Sequence, residues 1–166
     1  RTWTVDTTAP DTSVTSGPSG TVASGSASLA FTSADPSASF QCRLDGGAWG
    51  ACSSPKAYAS LADGSHTFDV RATDAVGNVD ATPVSRTWTV DTVAPDTNIT
   101  GGPAQGAFVS STSATFTFGS PESGTTFQCS LDGANFGNCP AGYTGLQQGQ
   151  HTFAVRATDA AGNTDG

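Results

Sequence analysis

Apolar and polar residues alternate over short runs along the chain. In Arg86-Thr87-Trp88-Thr89-Val90, Trp88 and Val90 fall on one face, Thr87 and Thr89 on the other. Phe68, Val70 and Ala72 oppose Thr67, Asp69 and Arg71 in the same way, and Phe40, Cys42 and Leu44 share a face. Leu29 and Phe31, with Phe116 and Phe118 further on, mark earlier strands. No stretch has helical periodicity. Turn-forming clusters separate the runs: Ser16-Gly17-Pro18-Ser19-Gly20, Asp45-Gly46-Gly47, Ala62-Asp63-Gly64 and Val76-Gly77-Asn78. Short strands at this turn spacing predict an all-β sandwich.

The pattern occurs twice. Arg1-Thr2-Trp3-Thr4-Val5-Asp6-Thr7-Thr8-Ala9-Pro10-Asp11-Thr12 returns at Arg86–Thr97, with Val93 in place of Thr8. Phe40-Gln41-Cys42-Arg43-Leu44-Asp45-Gly46 returns from Phe127 to Gly133, and His66–Asp74 returns as His151–Asp159. The cysteine landmark is displaced by two residues more than the other two, so insertion and deletion cancel between fixed anchors, as surface loops allow. A unit of this length is a small domain rather than a solenoid repeat.

Composition then narrows the partners. The formal charge is −8 with only six Lys+Arg, which argues against nucleic acid or an anionic membrane surface. No apolar run approaches the roughly 20 residues that span a bilayer, so no membrane insertion is expected. Cys42 and Cys52 have the same spacing as Cys129 and Cys139. One pair per repeat reads as one local disulfide per domain. The rival, zinc, lacks a nearby histidine or second cysteine pair. Disulfides point to an oxidising, extracellular location.

The string F-Q-C-x-L-D-G, a second cysteine, G-x-H-T-F-x-V-R-A-T-D-A-x-G-N and R-T-W-T-V-D-T-x-A-P-D-T resembles the bacterial immunoglobulin-like repeats of large secreted or surface-anchored proteins. The resemblance covers essentially the whole chain. It implies two tandem immunoglobulin-like β-sandwiches with Greek-key-type strand order. It also makes R-T-W-T-V a last strand and V-D-T-x-A-P the joint into the next domain. Residues 1–7 are then the final strand of a preceding or neighbouring repeat, 8–93 the first domain, and 94–166 a second domain lacking its own final strand. Two explanations fit: a longer continuous array, or strand addition. In the second, Arg1, Thr2, Trp3, Thr4 and Val5 of one copy complete another, as Arg86, Trp88 and Val90 complete the first domain. Either way, the expected partners are adjacent repeats or copies of the chain, joined head-to-tail.

Catalytic candidates are sparse. His66 and His151 occupy equivalent positions, which favours a framework role, and no nucleophile–base constellation stands out, so no enzyme is expected. No cofactor is required. Calcium is the sharpest ligand candidate: Asp74, Asn78 and Asp80 gather oxygens on one turn, Asp159, Asn163 and Asp165 repeat them, and Asp6 and Asp91 lie in the joints. The rival reading of Asp-x-x-Gly-Asn is turn chemistry. Trp49 and its counterpart Phe136 are expected to pack in the core against the disulfides. Arg71 and Arg156 are expected to pair with acids. Asn98-Ile99-Thr100 is an N-glycosylation sequon by pattern. The leading functional expectation is an extracellular shaft, filament or adhesin stalk. The alternative is an accessory module that binds a polysaccharide or another cell-surface ligand.

Overall fold

The computed structural model describes all 166 residues. The chain is all-β and divides into two compact units, Arg1–Thr92 and Val93–Gly166.

Unit 1 contains β1 (Thr12–Ser16), β2 (Thr21–Val22), β3 (Ala27–Ser33), β4 (Ser39–Leu44), β5 (Gly50–Cys52), β6 (Lys56–Tyr58), β7 (Gly64–Thr73) and β8 (Val84–Val90). One sheet has the order β1-β3-β6 and the other β2-β8-β7-β4-β5. Every pairing is antiparallel except that of β2 with β8. Strands distant in sequence thus become neighbours, and the chain crosses between sheets at β3–β4, as in an immunoglobulin-like sandwich. The alternation seen in the sequence selects the core: Leu29, Phe31, Cys42, Phe68, Val70, Trp88 and Val90 are buried between the sheets. Phe31 meets Phe40 edge-on at 5.0 Å between ring centroids.

Unit 2 contains β9 (Asn98–Gly101), β10 (Thr117–Gly119), β11 (Thr126–Leu131), β12 (Gly137–Asn138) and β13 (Phe153–Thr158). β9 pairs with β10, and β12-β11-β13 form the second sheet. A single bridge, Ala114 to Tyr143, replaces the pairing that begins at Ala27 and Tyr58 in unit 1. Phe116 stacks on Phe153 at 3.9 Å, and Phe118 packs on Phe127. Leu29, Phe31, Phe68 and Val70 of unit 1 are buried, whereas their counterparts Phe116, Phe118, Phe153 and Val155 are only half-buried.

Both units open the loop after their Cys-bearing strand with an Asp-Gly turn. Asp45 and Gly46 have φ of 51° and 70°, Asp132 and Gly133 of 54° and 74°. Two successive positive φ values are the type I′ geometry that matches strand twist, and the Gly47 and Ala134 N–H groups close the turns on Leu44 and Leu131.

Residues 1–7 fall within unit 1, and regular structure begins at Thr12.

Candidate functional site

The region with most to distinguish it is the slot filled by β8. Backbone pairing sets Gly64 opposite Val90, Ser65 opposite Thr89, His66 opposite Trp88, Thr67 opposite Thr87 and Phe68 opposite Arg86. On its other side β8 meets β2: the Thr89 N–H donates to Gly20 O at 2.9 Å and the Asp91 N–H to Val22 O at 3.0 Å. The Arg86 guanidinium donates to the carbonyls of Pro18 and Gly17, at 2.8 and 3.0 Å. Trp88 and Val90 are 3% and 1% exposed. Burying these two side chains contributes on the order of 5–8 kcal/mol of transfer free energy before the cost of ordering them.

Unit 2 repeats several features of this arrangement. β13 is the edge of its sheet, paired with β11 alone. Gly102-Pro103 and Gly106 stand where Gly17-Pro18 and Gly20 stand, with Gly106 at φ 74° against 65° for Gly20. Phe108 follows Gly106 as Val22 follows Gly20, and is 104% exposed. The sequence Arg1–Val5, identical to Arg86–Val90, leaves Trp3 82% and Val5 76% exposed.

A His–Asp brace flanks each slot. His66 Nδ1 lies 2.8 Å from Asp45 Oδ2 and Nε2 lies 2.9 Å from Ala62 O, while Asp45 Oδ1 accepts the Thr67 N–H at 2.8 Å. In unit 2, His151 meets Asp132 and Gln147 O, both at 2.8 Å, and Asp132 accepts the Thr152 N–H. Each ring faces acceptors on both nitrogens, an arrangement that an imidazolium satisfies. The Ala62 carbonyl and then Asp45 hold the His66 pKa above its ordinary value; for His151 the order is Asp132, then Gln147. Burial opposes ionisation of Asp45, but the Thr67 N–H and His66 together hold its carboxyl low. Asp132 is held low chiefly by His151. The His66 ring lies 5.7 Å from that of Trp88, so the brace supports the last strand's main anchor. Both nitrogens of each ring are thus engaged inside its own unit.

Six of the eight calcium candidates fall into two arrangements. Asp74 Oδ1 accepts the Val76 and Asn78 N–H groups at 2.9 and 2.8 Å, and its Oδ2 accepts Asn78 Nδ2 at 2.7 Å. Asp159 and Asn163 repeat this turn. Burial opposes ionisation of Asp74 and Asp159, but hydrogen bonds led by Asn78 and Asn163 hold both carboxyls low. Asp80 is instead a latch: the Ala72 N–H donates to Thr12 Oγ1, which donates to Asp80 Oδ2 at 2.8 Å. Asp165 accepts the Ala157 N–H and the Thr97 hydroxyl. Asp6 Oδ1 caps the Thr8 N–H, and its carbonyl accepts Asn78 Nδ2 at 3.2 Å. The Thr12 and Thr97 latches went unrecognised in sequence, although Pro-Asp-Thr in both joints carried the signal.

Cys42–Cys52 and Cys129–Cys139 are disulfide-bonded. The first joins β4 to its sheet neighbour β5, and in the second Cys139 lies directly after β12, the neighbour of β11. Trp49 corrects its core expectation. It lies outside the sandwich between the Arg43 and Arg71 guanidinia, 4.6 and 4.4 Å from its ring centre. Arg156 covers the exposed Phe136 at 4.3 Å. The cause is strand parity: Arg71 alternates with inward Val70, so its outward face needs an aromatic cover. Nor do Arg71 and Arg156 pair with acids; they donate to the side-chain carbonyls of Gln41 and Gln128. Arg43 takes the acid, Asp69, at 2.7 Å, and unit 2 has Ser130 and Ala154 in place of that pair.

Fold and site define a pair of immunoglobulin/fibronectin-III-like β-sandwich modules. Among solved structures, the fibronectin(III)-like modules of Clostridium thermocellum CbhA match with a TM-score of 0.50 and 14% identity, over 94% of this chain and 90% of that one. The tandem Ig repeats of Dlar match with a TM-score of 0.29 and 16% identity, over 95% and 94%. No protein-family description and no curated protein matches the chain.

Proposed function

We propose that the chain is a stretch of an extracellular structural rod, a stalk, filament or adhesin shaft, in which Ig-like domains continue head-to-tail. The observation that carries this reading is the double use of one segment. Arg86–Val90 closes unit 1 as part of β8, and the residues directly after it lead into unit 2, while the same sequence stands before unit 1. A strand that ends one domain and starts the next is the connection a linear array needs. One disulfide per unit supports an oxidising compartment. The bacterial, surface-anchored setting rests on the sequence resemblance.

The rival reading, a polysaccharide-binding accessory module, draws on the outward aromatic rings of Trp49 and Phe136. Their faces are already covered by Arg71 and Arg156, so a sugar would have to displace a guanidinium. Electron microscopy of the protein purified from its natural source tests the proposal. Extended rods with a regular bead spacing are expected. Compact particles, together with selective binding to one sugar class on a glycan array, would replace the shaft by the accessory module.

A further inference from the structure

We propose that unit 1 docks an extended acidic peptide in the cleft between the free edges of its two sheets, with a peptide carboxylate held by Lys56 and Arg43. The site lies outside the joint on which the rod reading rests, so the two readings stand or fall separately.

The cleft follows from the topology. β5 ends one sheet and pairs only with β4, while β6 ends the other and pairs only with β3. Each edge turns one row of backbone N–H and C=O groups away from its own sheet, the template that an added strand uses. The cleft has a volume of about 240 Å³, with Leu44 and the Cys42–Cys52 disulfide as apolar lining and Arg43, Lys56 and Tyr58 as polar lining. Pockets for whole small molecules run from roughly 300 to 1,000 Å³, so this one suits a single side chain of a longer ligand.

Charge selects that side chain. The sequence has 14 Asp+Glu against six Lys+Arg, yet two cations and no carboxylate line the cleft. The acids beside it are already engaged: Asp69 holds Arg43 Nε at 2.7 Å and accepts the Ser85 hydroxyl, and Asp45 holds His66. Arg43 meets Asp69 through Nε alone, and its guanidinium is fixed over Trp49 at 4.6 Å. The Lys56 ammonium lies 5.4 Å from the centre of the Tyr58 ring and forms no ion pair. Two cations and a phenol offer donors to a carboxylate. The hydroxyls of a neutral sugar donate as well as accept, and no Asp, Asn or Gln lines the cleft to receive them.

Unit 2 separates these cations from the framework. Ser130 stands in place of Arg43, and Ala141 precedes Tyr143 as Lys56 precedes Tyr58. The disulfide remains, and Tyr143 packs on Phe153 as Tyr58 packs on Phe68. The fold is therefore built without either cation, and the chain carries its own control.

NMR titration of the full chain with the synthetic peptide Ser-Val-Glu-Val-Glu-Val-Ser tests the proposal. Amide shifts are expected at Gly50–Cys52 and Lys56–Tyr58, while Gly137–Asn138 of unit 2 stay unmoved. Lys56→Ala, which copies unit 2, keeps the fold and weakens binding about tenfold or more, the scale of one hydrogen bond between charged groups. Lys56→Arg retains binding, and the peptide with Gln for both Glu loses it. Silent edges with millimolar acidic peptide overturn the proposal. So do equal affinities for the Glu and Gln peptides, or for the wild type and Lys56→Ala. Polygalacturonate that moves these amides where the peptide does not would make the ligand an acidic glycan and overturn the peptide assignment. Rods in the native material with a silent titration would leave the rod reading standing alone; Lys56-dependent peptide binding with compact native particles would leave only the docking cleft.

Discussion

Gly64–Thr67 and Gly149–Thr152 differ at one residue, yet the first is strand and the second is not. Both precede the same Phe-x-Val-Arg-Ala-Thr run, and both carry a histidine held by an aspartate and a carbonyl. What differs is the neighbour. In unit 1 the segment pairs with β8; in unit 2 no strand lies there. Local propensity therefore does not decide strand formation at this position; the presence of a partner edge does. The consequence spreads inward, since His66 is buried and His151 exposed, and the aromatic core of unit 2 is only half closed.

Substitution of the two tryptophans breaks or sharpens this contrast most strongly. Trp88→Ala is expected to cost unit 1 about 3–5 kcal/mol, the usual loss for a large buried aromatic. Trp3→Ala in the dilute monomer is expected to change stability by less than about 0.5 kcal/mol, as surface substitutions do. Urea denaturation checks both, and equal losses would dissolve the distinction between filled and empty slots.

The disulfides come next. Each closes a loop of sequence separation 10, so removal of either should cost about 2–3 kcal/mol in the chain-entropy model. The same loss is expected to unfold the half-closed unit 2 while unit 1 survives. Comparing Cys42→Ser/Cys52→Ser with Cys129→Ser/Cys139→Ser by amide exchange shows which unit opens first.

A smaller effect is set by pH. The His66 and His151 pKa values are raised from 6.5, so the stability each contributes is fully present below that value and is lost as pH rises through the higher folded value. Asp45 and Asp132 are lowered from 3.8, so their contribution is present above it and lost as pH falls through the lower folded value. Thermal stability should therefore be greatest between these limits. NMR titration of the two rings, read beside melting curves, resolves the units.

The smallest expected change comes from calcium. In unit 1, Asn78 turns its amide nitrogen, a donor, toward Asp74, whereas a cation site needs oxygens. Calcium added to a chelator-washed sample should leave the exchange of the Asp74–Asn78 turn unchanged; protection there would restore this turn as a metal site.

Much of this contrast was legible in the sequence. Alternation placed Phe68, Val70, Trp88 and Val90 on inward faces, and equal spacing paired the cysteines. The repeated Arg-Thr-Trp-Thr-Val identified a strand with a fixed role. What escaped was set by contacts distant in the chain. Trp49 lies in a loop where strand parity gives no direction, and its place depends on Arg43 and Arg71 from two other strands. The Asp80–Thr12 latch joins residues 68 apart. The shortening of β13 was hidden because its sequence is almost that of β7.

The most direct measurement of the central claim is amide exchange over Gly149–Phe153, with and without saturating Arg-Thr-Trp-Thr-Val-Asp-Thr peptide, using Gly64–Phe68 of the same molecule as reference. The account predicts fast exchange without peptide and, with it, slowing toward the reference segment. Exchange already as slow as the reference in the dilute monomer, or unchanged by the peptide, would contradict it.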